Sequence, residues 1–351
     1  MIDSSAPLND FLPLLRDSAF VALDTEADSL HAYPEKLCLL QIGIVGSEVL
    51  VDPLAGLDLT PLFATLAGRE LLLHGADYDL RLMRKHHNFL PSILFDTMPA
   101  ARLLGQRQFS LSALVEHYLG IKLEKGSQKA DWARRPLTPR MADYAMNDVR
   151  HLKPLVDKLR EELQRKGRLE WHQEWCARLI QEAAQDPGPD PEIVWRIKGS
   201  SVLGPPALAV LRSLWKWREA EATHADRPPF FILQHEAMVA LAATTANGED
   251  CSRWIPQRFS TRRRETLRQA LAAGVAVPPE AQPQVLLPTG RRPTMAQVKR
   301  IREITERRDR HAKQLELDPA LIASRPVLAR LGCDWAAHES ELMNWQRELL
   351  K

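Results

Sequence analysis

The stretch Phe20-Val21-Ala22-Leu23-Asp24-Thr25-Glu26 decides the fold. Its first four residues are apolar, which predicts a buried strand, and two acids follow at positions i and i+2. In a strand this spacing directs both carboxylates to one face, where they repel each other and lose solvation. A solvated strand end is one interpretation of the pair. The other is a Mg²⁺ or Mn²⁺ site, because hard cations prefer oxygen ligands and the stretch contains no Cys or His.

The composition is that of an ordinary globular protein with room for two or three domains: 351 residues, 45% hydrophobic and 26% charged. No apolar run reaches the roughly 18 residues of a membrane span, and the chain does not open on a secretory signal. The four cysteines are scattered without a Cys-x-x-Cys pair, which excludes the common zinc and disulfide frameworks. We therefore expect a reduced, cytoplasmic, monomeric protein without a membrane partner.

The residues after the opening strand predict a mixed sheet with helices on its faces. Two strands at 37–44 and 48–53, joined by a turn at 45–47, predict an antiparallel meander with the first strand. Shorter strands and helices alternate beyond it. The predicted strands are 71–75 and 93–97, and the predicted helices are 79–87, 98–104 and 110–118.

A single long helix is predicted from Thr138-Pro139, which supply an N-cap and a first helical residue, through residue 159. Its apolar stripe carries Tyr144 and Asp148, four residues apart and therefore adjacent on one side. An acid within a core-facing stripe needs a partner. That partner is either an Arg or backbone amide, or a cation shared with the acids of the first strand.

Three sequence patterns occur in this order along the chain and together indicate a known family: Asp24-x-Glu26, His74-x4-Asp79-Leu80 and Tyr144-x3-Asp148. They resemble the three motifs of the DEDDy 3′→5′ exonucleases, whose fold is ribonuclease H-like. Within that superfamily the chain is similar to ribonuclease D nearly end to end. The supporting stretches are Tyr33-Pro34, Leu40-Gln41-Ile42, Asp52-Pro53-Leu54, Phe95-Asp96-Thr97 and the loop 125–137 with Asp131-Trp132 and Arg135-Pro136-Leu137.

The resemblance implies a metal-dependent 3′→5′ exoribonuclease that releases nucleoside 5′-monophosphates from the 3′ ends of tRNA precursors and other structured RNAs. Four carboxylates suit two divalent cations, Mg²⁺ or Mn²⁺. By resemblance Asp24 bridges both ions, Glu26 and Asp148 hold the ion that activates water, and Asp79 serves the second ion through water. Tyr144 orients the attacking water, since a tyrosine that titrates near ~10 is better suited to positioning than to acting as a base.

The loop before the long helix contains further candidates, Gln128, Lys129, Trp132 and Arg135. These residues are expected to touch RNA phosphates or to stack a base. For Trp132 and Arg135 the alternative is a structural role that anchors the loop.

Three other polar residues near the motifs have simpler interpretations. Asp77 and Asp96 are predicted helix caps, and Asp79 rather than Asp77 matches the family spacing. His74 is expected to be a satisfied histidine at a strand end rather than a ligand.

The C-terminal half is helical in pattern. Residues 211–220 followed by 226–233 resemble an HRDC domain, and 307–331 resemble a second, more divergent HRDC-like unit. The predicted fold class is α/β, a ribonuclease H-like mixed sheet flanked by helices and followed by two all-α HRDC-like bundles. The predicted domains are the exonuclease domain 1–185, a linker 186–200, the HRDC domain 201–280 and the second HRDC-like domain 281–351.

Basic runs punctuate this half, at 258–268 and again at 291–302. Each is either a solvated helix face or a surface that contacts phosphates.

Other functions remain to be weighed against the exoribonuclease. A 3′→5′ DNA exonuclease stays open, because no residue pattern reports on the 2′-hydroxyl. A non-catalytic RNA-binding scaffold predicts the loss of an acid, and none is lost. A Rossmann-type oxidoreductase is excluded, because no Gly-x-Gly-x-x-Gly turn follows the first strand.

Overall fold

A computed structural model describes residues 1–124, 126–185, 187–286 and 293–351. These residues form five β-strands and seventeen α-helices, with short 3₁₀ turns between some of them. The strands are β1 Val21–Ala27, β2 Leu37–Ile44, β3 Ser47–Val51, β4 Glu70–Leu73 and β5 Ile93–Asp96. The first eight helices are α1 Ser5–Asp17, α2 Thr60–Leu66, α3 Asp77–His87, α4 Thr97–Leu103, α5 Leu111–Leu119, α6 Pro139–Arg150, α7 Leu152–Arg165 and α8 Leu169–Gln185. The others are α9 Pro205–Ala225, α10 Pro229–Ile232, α11 His235–Ala246, α12 Thr261–Val275, α13 Met295–Leu315, α14 Pro319–Ile322, α15 Arg325–Cys333, α16 Trp335–His338 and α17 Asn344–Leu350.

The sheet has the order β3-β2-β1-β4-β5. β1 to β3 form the predicted antiparallel meander, while β4 and β5 run parallel to β1, so the predicted mixed sheet is confirmed. β1 pairs with β4 only at Val21 and Ala22, whereas it pairs with β2 from Ala22 to Ala27. The carboxyl end of β1, which carries the two acids, therefore extends beyond its pairing with β4.

The predicted single helix from 138 to 159 is wrong, because the helix is interrupted at His151. His151 has φ −101° and ψ 0°, and α6 ends before it while α7 begins after it. Pro154 explains the break, because it has no N–H to donate to the carbonyl of Arg150 and its ring would collide with that carbonyl. Tyr144 and Asp148 both remain on α6.

The described residues fall into two compact units. The first comprises Met1–Ala27, Leu37–Asp186 and Arg291–Lys351, and the second comprises Asp28–Lys36 and Pro187–Gly290. Within the first unit the C-terminal helices share a hydrophobic core with α4 and α7. The buried Arg168 guanidinium joins them, donating to the carbonyls of Leu103 at 2.6 Å and Leu315 at 2.7 Å. The domain boundaries proposed from the sequence stay predictions.

The second unit is a helical bundle in which α9 packs against α11 and α12. Gly274 of α12 lies so close to α9 that a Cβ there would approach Val210 Cα to 2.5 Å. Across the described ranges of both units, no helix is long and apolar enough to cross a membrane.

Candidate active site

Three acids converge beside the carboxyl end of β1. One carboxylate oxygen from each of Asp24, Glu26 and Asp148 lies within 4.8 Å of the other two. β1 supplies the first two, and α6 brings Asp148 to them by packing across the sheet. Gly43 of β2 lies against α6 here, since a Cβ at that position would be in van der Waals contact with Val149, 3.4 Å from its Cβ. The first and third sequence motifs therefore form one cluster.

Burial and mutual repulsion make this cluster electrostatically unfavourable without a counter-charge. Burial, followed by the charges of the neighbouring acids, holds the pKa of Asp24 well above its ordinary range. The same causes raise the pKa of Glu26 to about 9, and burial raises that of Asp148 to about 7. No salt bridge among the described residues involves any of these carboxylates. An all-oxygen donor set that lacks a positive partner fits a divalent cation.

Asp79 lies next to this cluster but outside the group of three. It is buried near the start of α3 and accepts a hydrogen bond from the hydroxyl of Thr25, between the two acids of β1. Burial raises the pKa of Asp79 to about 7, while the Thr25 bond opposes the rise. The charge of Asp79, like that of Asp148, in turn raises the pKa values of Asp24 and Glu26.

The prediction that Asp77 caps the helix is wrong. α3 begins at Asp77, the preceding Ala76 makes no side-chain cap, and Asp77 pairs with Arg81 one turn later at 3.0 Å. An acid in the first turn is favoured by the helix dipole without capping it.

The turn that leads to Asp79 is held by Asp96, which sequence reasoning assigned only a capping role. The cap is confirmed, since Asp96 accepts a hydrogen bond from Met98 N at 2.9 Å. Its two carboxylate oxygens also accept bonds from Gly75 N and Ala76 N, each at 2.8 Å. Gly75 has φ +71°, a conformation that favours glycine. Asp96 thereby fixes the backbone between β4 and α3.

Tyr144 is placed to act through its hydroxyl. That hydroxyl is hydrogen-bonded to Asp148, and burial together with the nearby acids holds the tyrosine pKa well above its usual range. Tyr144 therefore stays protonated at neutral pH. Its ring lies beside that of Trp132, with centroids 6.1 Å apart.

The loop before α6 divides into an anchoring part and a cavity-lining part. Trp132 is 1% exposed, and the Arg135 guanidinium binds both carboxylate oxygens of Asp52 at 2.5 and 2.6 Å. These contacts favour the structural alternative for both residues over base stacking or phosphate contact. Gln128 and Lys129 are exposed and line the cavity beside the acids, and their contact with RNA stays a prediction.

The four acids line a cavity of about 810 Å³. Besides the motif residues, its walls contain His74, Tyr78, Ser110, Leu111, Ser112, Leu123, Glu124, Gly126 and Asn147. A cavity of this size fits a substrate at least as large as a nucleotide.

The arginine run at 262–264 serves the second unit itself. Arg262 and Arg263 both bind the buried carboxylate of Glu221, at 2.8 and 2.9 Å, and Arg264 donates to backbone carbonyls. These contacts favour a structural role for this run. Arg291 and Arg292 lie outside the described residues.

Comparison with known proteins identifies the family. Residues 1–164 match the sequence profile of the 3′-5′ exonuclease family, and residues 207–247 match that of the HRDC domain. The ribonuclease D of Gluconacetobacter diazotrophicus is 32% identical over 356 residues, which cover 99% of this chain and 89% of that protein. The chain belongs to the ribonuclease D family.

Other ribonuclease D proteins agree. That of Zymomonas mobilis is 39% identical over 255 residues, which cover 69% of this chain and 63% of that protein. The crystal structure of Escherichia coli RNase D, an exoribonuclease involved in structured RNA processing, matches with a TM-score of 0.77 and 26% identity. That match covers 100% of this chain and 98% of the other.

Membership in the ribonuclease D family confirms the resemblance, the predicted fold class and the activity: the chain is a 3′→5′ exoribonuclease with an HRDC domain. The exonuclease family is divalent-metal dependent, and the cluster of Asp24, Glu26 and Asp148 is the candidate acidic site for a cation.

Proposed function

We propose that this member of the ribonuclease D family removes nucleoside 5′-monophosphates one at a time from the 3′ ends of structured RNAs, tRNA precursors among them. Asp24, Glu26, Asp79 and Asp148 would hold two divalent cations, Mg²⁺ or Mn²⁺, and Tyr144 would position the attacking water. One observation carries the proposal: three carboxylates meet within 4.8 Å on a cavity wall without a basic partner among the described residues.

The donor set supports oxygen-seeking cations. Every candidate ligand atom in the group of three is a carboxylate oxygen, and four acids together provide more negative charge than one divalent ion neutralises. When bound, the cations would lower the pKa of water and stabilise the negative charge that develops on the phosphate. The charges of the other three acids all act on Asp24, which is therefore suited to serve both ions.

The protein's own groups would orient the reactants. The Tyr144 hydroxyl donates its single proton to the carboxylate of Asp148, so its oxygen lone pairs are available to accept from a water molecule. The raised pKa of Tyr144 argues against its acting as the base at neutral pH. Thr25 would hold Asp79, and Asp96 would fix the turn before it.

The substrate would enter with a free 3′ end. Gln128 and Lys129 are exposed on the cavity wall and would contact the phosphates of the terminal nucleotides. We expect the enzyme to act as a monomer in the cytoplasm.

Matched oligonucleotides test the proposal. We expect the protein to shorten a 3′-extended tRNA precursor stepwise from its 3′ end, to release 5′-monophosphates, and to stop in excess chelator. An all-DNA oligonucleotide of the same sequence and a 3′-phosphorylated RNA serve as controls. Faster degradation of the DNA, or internal cleavage of either strand, would contradict the proposal.

A further inference from the structure

His74 is a cavity residue that the catalytic scheme does not use. It lies just after β4, five residues before Asp79, and is half-buried on the wall of the catalytic cavity. One of its ring nitrogens, Nδ1, lies 2.8 Å from the hydroxyl of Thr97. The ring nitrogen left for a ligand is therefore Nε2.

The hydrogen bonds of Thr97 assign the proton on this ring. The Thr97 hydroxyl donates to the backbone carbonyl of Leu73 at 3.3 Å. A hydroxyl has only one proton, so with that proton on the Leu73 carbonyl the same oxygen accepts from His74. We assign the ring hydrogen to Nδ1 from this hydrogen-bond network. Burial lowers the pKa of His74 to about 4, so the imidazole is neutral at physiological pH. Nε2 then carries a lone pair and no proton.

An acceptor at this place restricts what can bind against it. A lone pair repels phosphate oxygens, so the partner must be a donor. A neutral imidazole is also a common metal ligand. Yet among the described residues the group with ligand atoms within 4.8 Å of one another contains Asp24, Glu26 and Asp148, and His74 is not part of it. When the scissile phosphate lies at those acids, as the proposed function places it, the terminal nucleotide offers donors in the hydroxyls of its ribose and in the N–H groups of its base. Only the hydroxyls have the same position in every nucleotide.

We propose that Nε2 of His74 accepts a hydrogen bond from a hydroxyl of the 3′-terminal ribose, so that His74 selects the chemistry of the end that is cut. This inference rests on the proposed function, which places the scissile phosphate at the acids. The 2′- and 3′-hydroxyls each provide an O–H donor, but a bond to one or the other gives a different selectivity. A bond to the first selects RNA over DNA, while a bond to the second selects unblocked ends.

Three RNA oligonucleotides that differ only in their terminal nucleotide test this: one with ribose, one 2′-deoxy and one 3′-deoxy. The measured quantity is kcat/KM for removal of that nucleotide, compared within each enzyme so that overall losses cancel. In the wild type, removing the bonded hydroxyl should lower kcat/KM about twofold to tenfold. His74→Phe keeps an aromatic ring but has no acceptor. In this variant, kcat/KM for one of the two deoxy-ended RNAs should equal that for the ribose-ended RNA. The end affected identifies the hydroxyl.

Thr97→Val provides a second variant if His74→Phe does not fold. It removes the acceptor that holds the proton on Nδ1, so it should reduce the same discrimination without abolishing it. Wild-type discrimination at both ends in His74→Phe would overturn the inference. So would an equal loss on all three RNAs accompanied by a higher divalent-metal requirement, which would mark His74 as a metal ligand. If the wild type itself releases no nucleotide from the ribose-ended RNA, the proposed function fails instead.

Discussion

The hydroxyl of Thr25 on β1 donates a hydrogen bond to the carboxylate of Asp79 on α3. Thr25 stands between Asp24 and Glu26 in the chain, so this bond ties the second motif directly to the first. It also opposes the rise in the pKa of Asp79 that burial causes. The middle residue of the first motif therefore has a definite task, which is to hold the fourth acid in place.

Replacing this donor gives the first prediction. Thr25→Val keeps the side-chain volume but removes the bond, and a hydrogen bond to a charged group contributes about 1.5–3 kcal/mol. We expect kcat to fall roughly tenfold to a hundredfold and the required Mg²⁺ concentration to rise. Thr25→Ser, which keeps the hydroxyl, is the control. Wild-type kcat and metal dependence in Thr25→Val would show that Asp79 needs no such support.

The acid cluster predicts how stability depends on pH when metal is removed. Folding raises the pKa of Glu26 from 4.5 to about 9 and that of Asp148 from 3.8 to about 7. The folded state thus binds protons more tightly than the unfolded state, so the unfolding free energy falls as pH rises across this window. In chelator we expect Tm to decrease from pH 5 to pH 9.

Two comparisons isolate this effect in the same melting experiment. Glu26→Gln removes one of the titrating groups and should flatten the decrease at alkaline pH. Mg²⁺ should raise Tm more at pH 8 than at pH 5, because more of the carboxylates have lost their protons. The same slope in the wild type and in Glu26→Gln would contradict the assignment.

Replacing Asp96 is expected to lower both the stability of the protein and its activity. Asp96→Asn presents an amide N–H₂ to the N–H groups of Gly75 and Ala76, so at least one buried donor loses its acceptor. The expected cost is about 1–3 kcal/mol of unfolding free energy, with a lower kcat because the turn before Asp79 loosens. Urea unfolding and turnover measure the two effects. Asp58→Asn is the matched control, since Asp58 accepts a hydrogen bond from Thr60 N at 2.9 Å on the exposed surface. An Asp96→Asn protein as stable as that control would refute the role given to Asp96.

We expect substitutions of two basic residues in the loop before α6 to have different effects, one on stability and the other on RNA binding. Arg135→Ala leaves the buried Asp52 without its partner and should cost about 3 kcal/mol, the lower end for a buried pair because Arg135 is 24% exposed. Lys129→Ala should instead raise KM for RNA and leave Tm nearly unchanged. Melting curves and RNA titrations of the two variants distinguish these outcomes. A raised KM with unchanged Tm in Arg135→Ala would restore the phosphate-contact interpretation.

The parts of the fold predicted well from sequence depend on local patterns. β2 has the predicted bounds, and β1 differs from its prediction by one residue at each end. Both strands were predictable because each contains a continuous apolar run, and turn residues join β2 to the next strand. The convergence of Asp24, Glu26 and Asp148 followed from motif order together with the family resemblance.

Contacts between distant residues could not be predicted in the same way. Arg135 and Asp52 are 83 positions apart, and nothing in either neighbourhood marks them as partners. The apolar stripe continues on both sides of His151, so hydrophobic periodicity alone did not indicate the helix break. Pro154 is the residue in the sequence that does indicate it. The packing of α13 to α17 within the first unit likewise depends on long-range contacts such as those of Arg168.

The most direct test of the central claim is nucleotide release by Asp24→Asn. The substitution keeps the size of the side chain but replaces one acceptor oxygen with an amide donor and removes the negative charge that a cation needs. We expect release of 5′-monophosphates from a 3′-labelled RNA to fall below detection in saturating Mg²⁺, while Tm in chelator is unchanged or higher and RNA affinity is retained. Undiminished release by a folded Asp24→Asn protein would contradict the account.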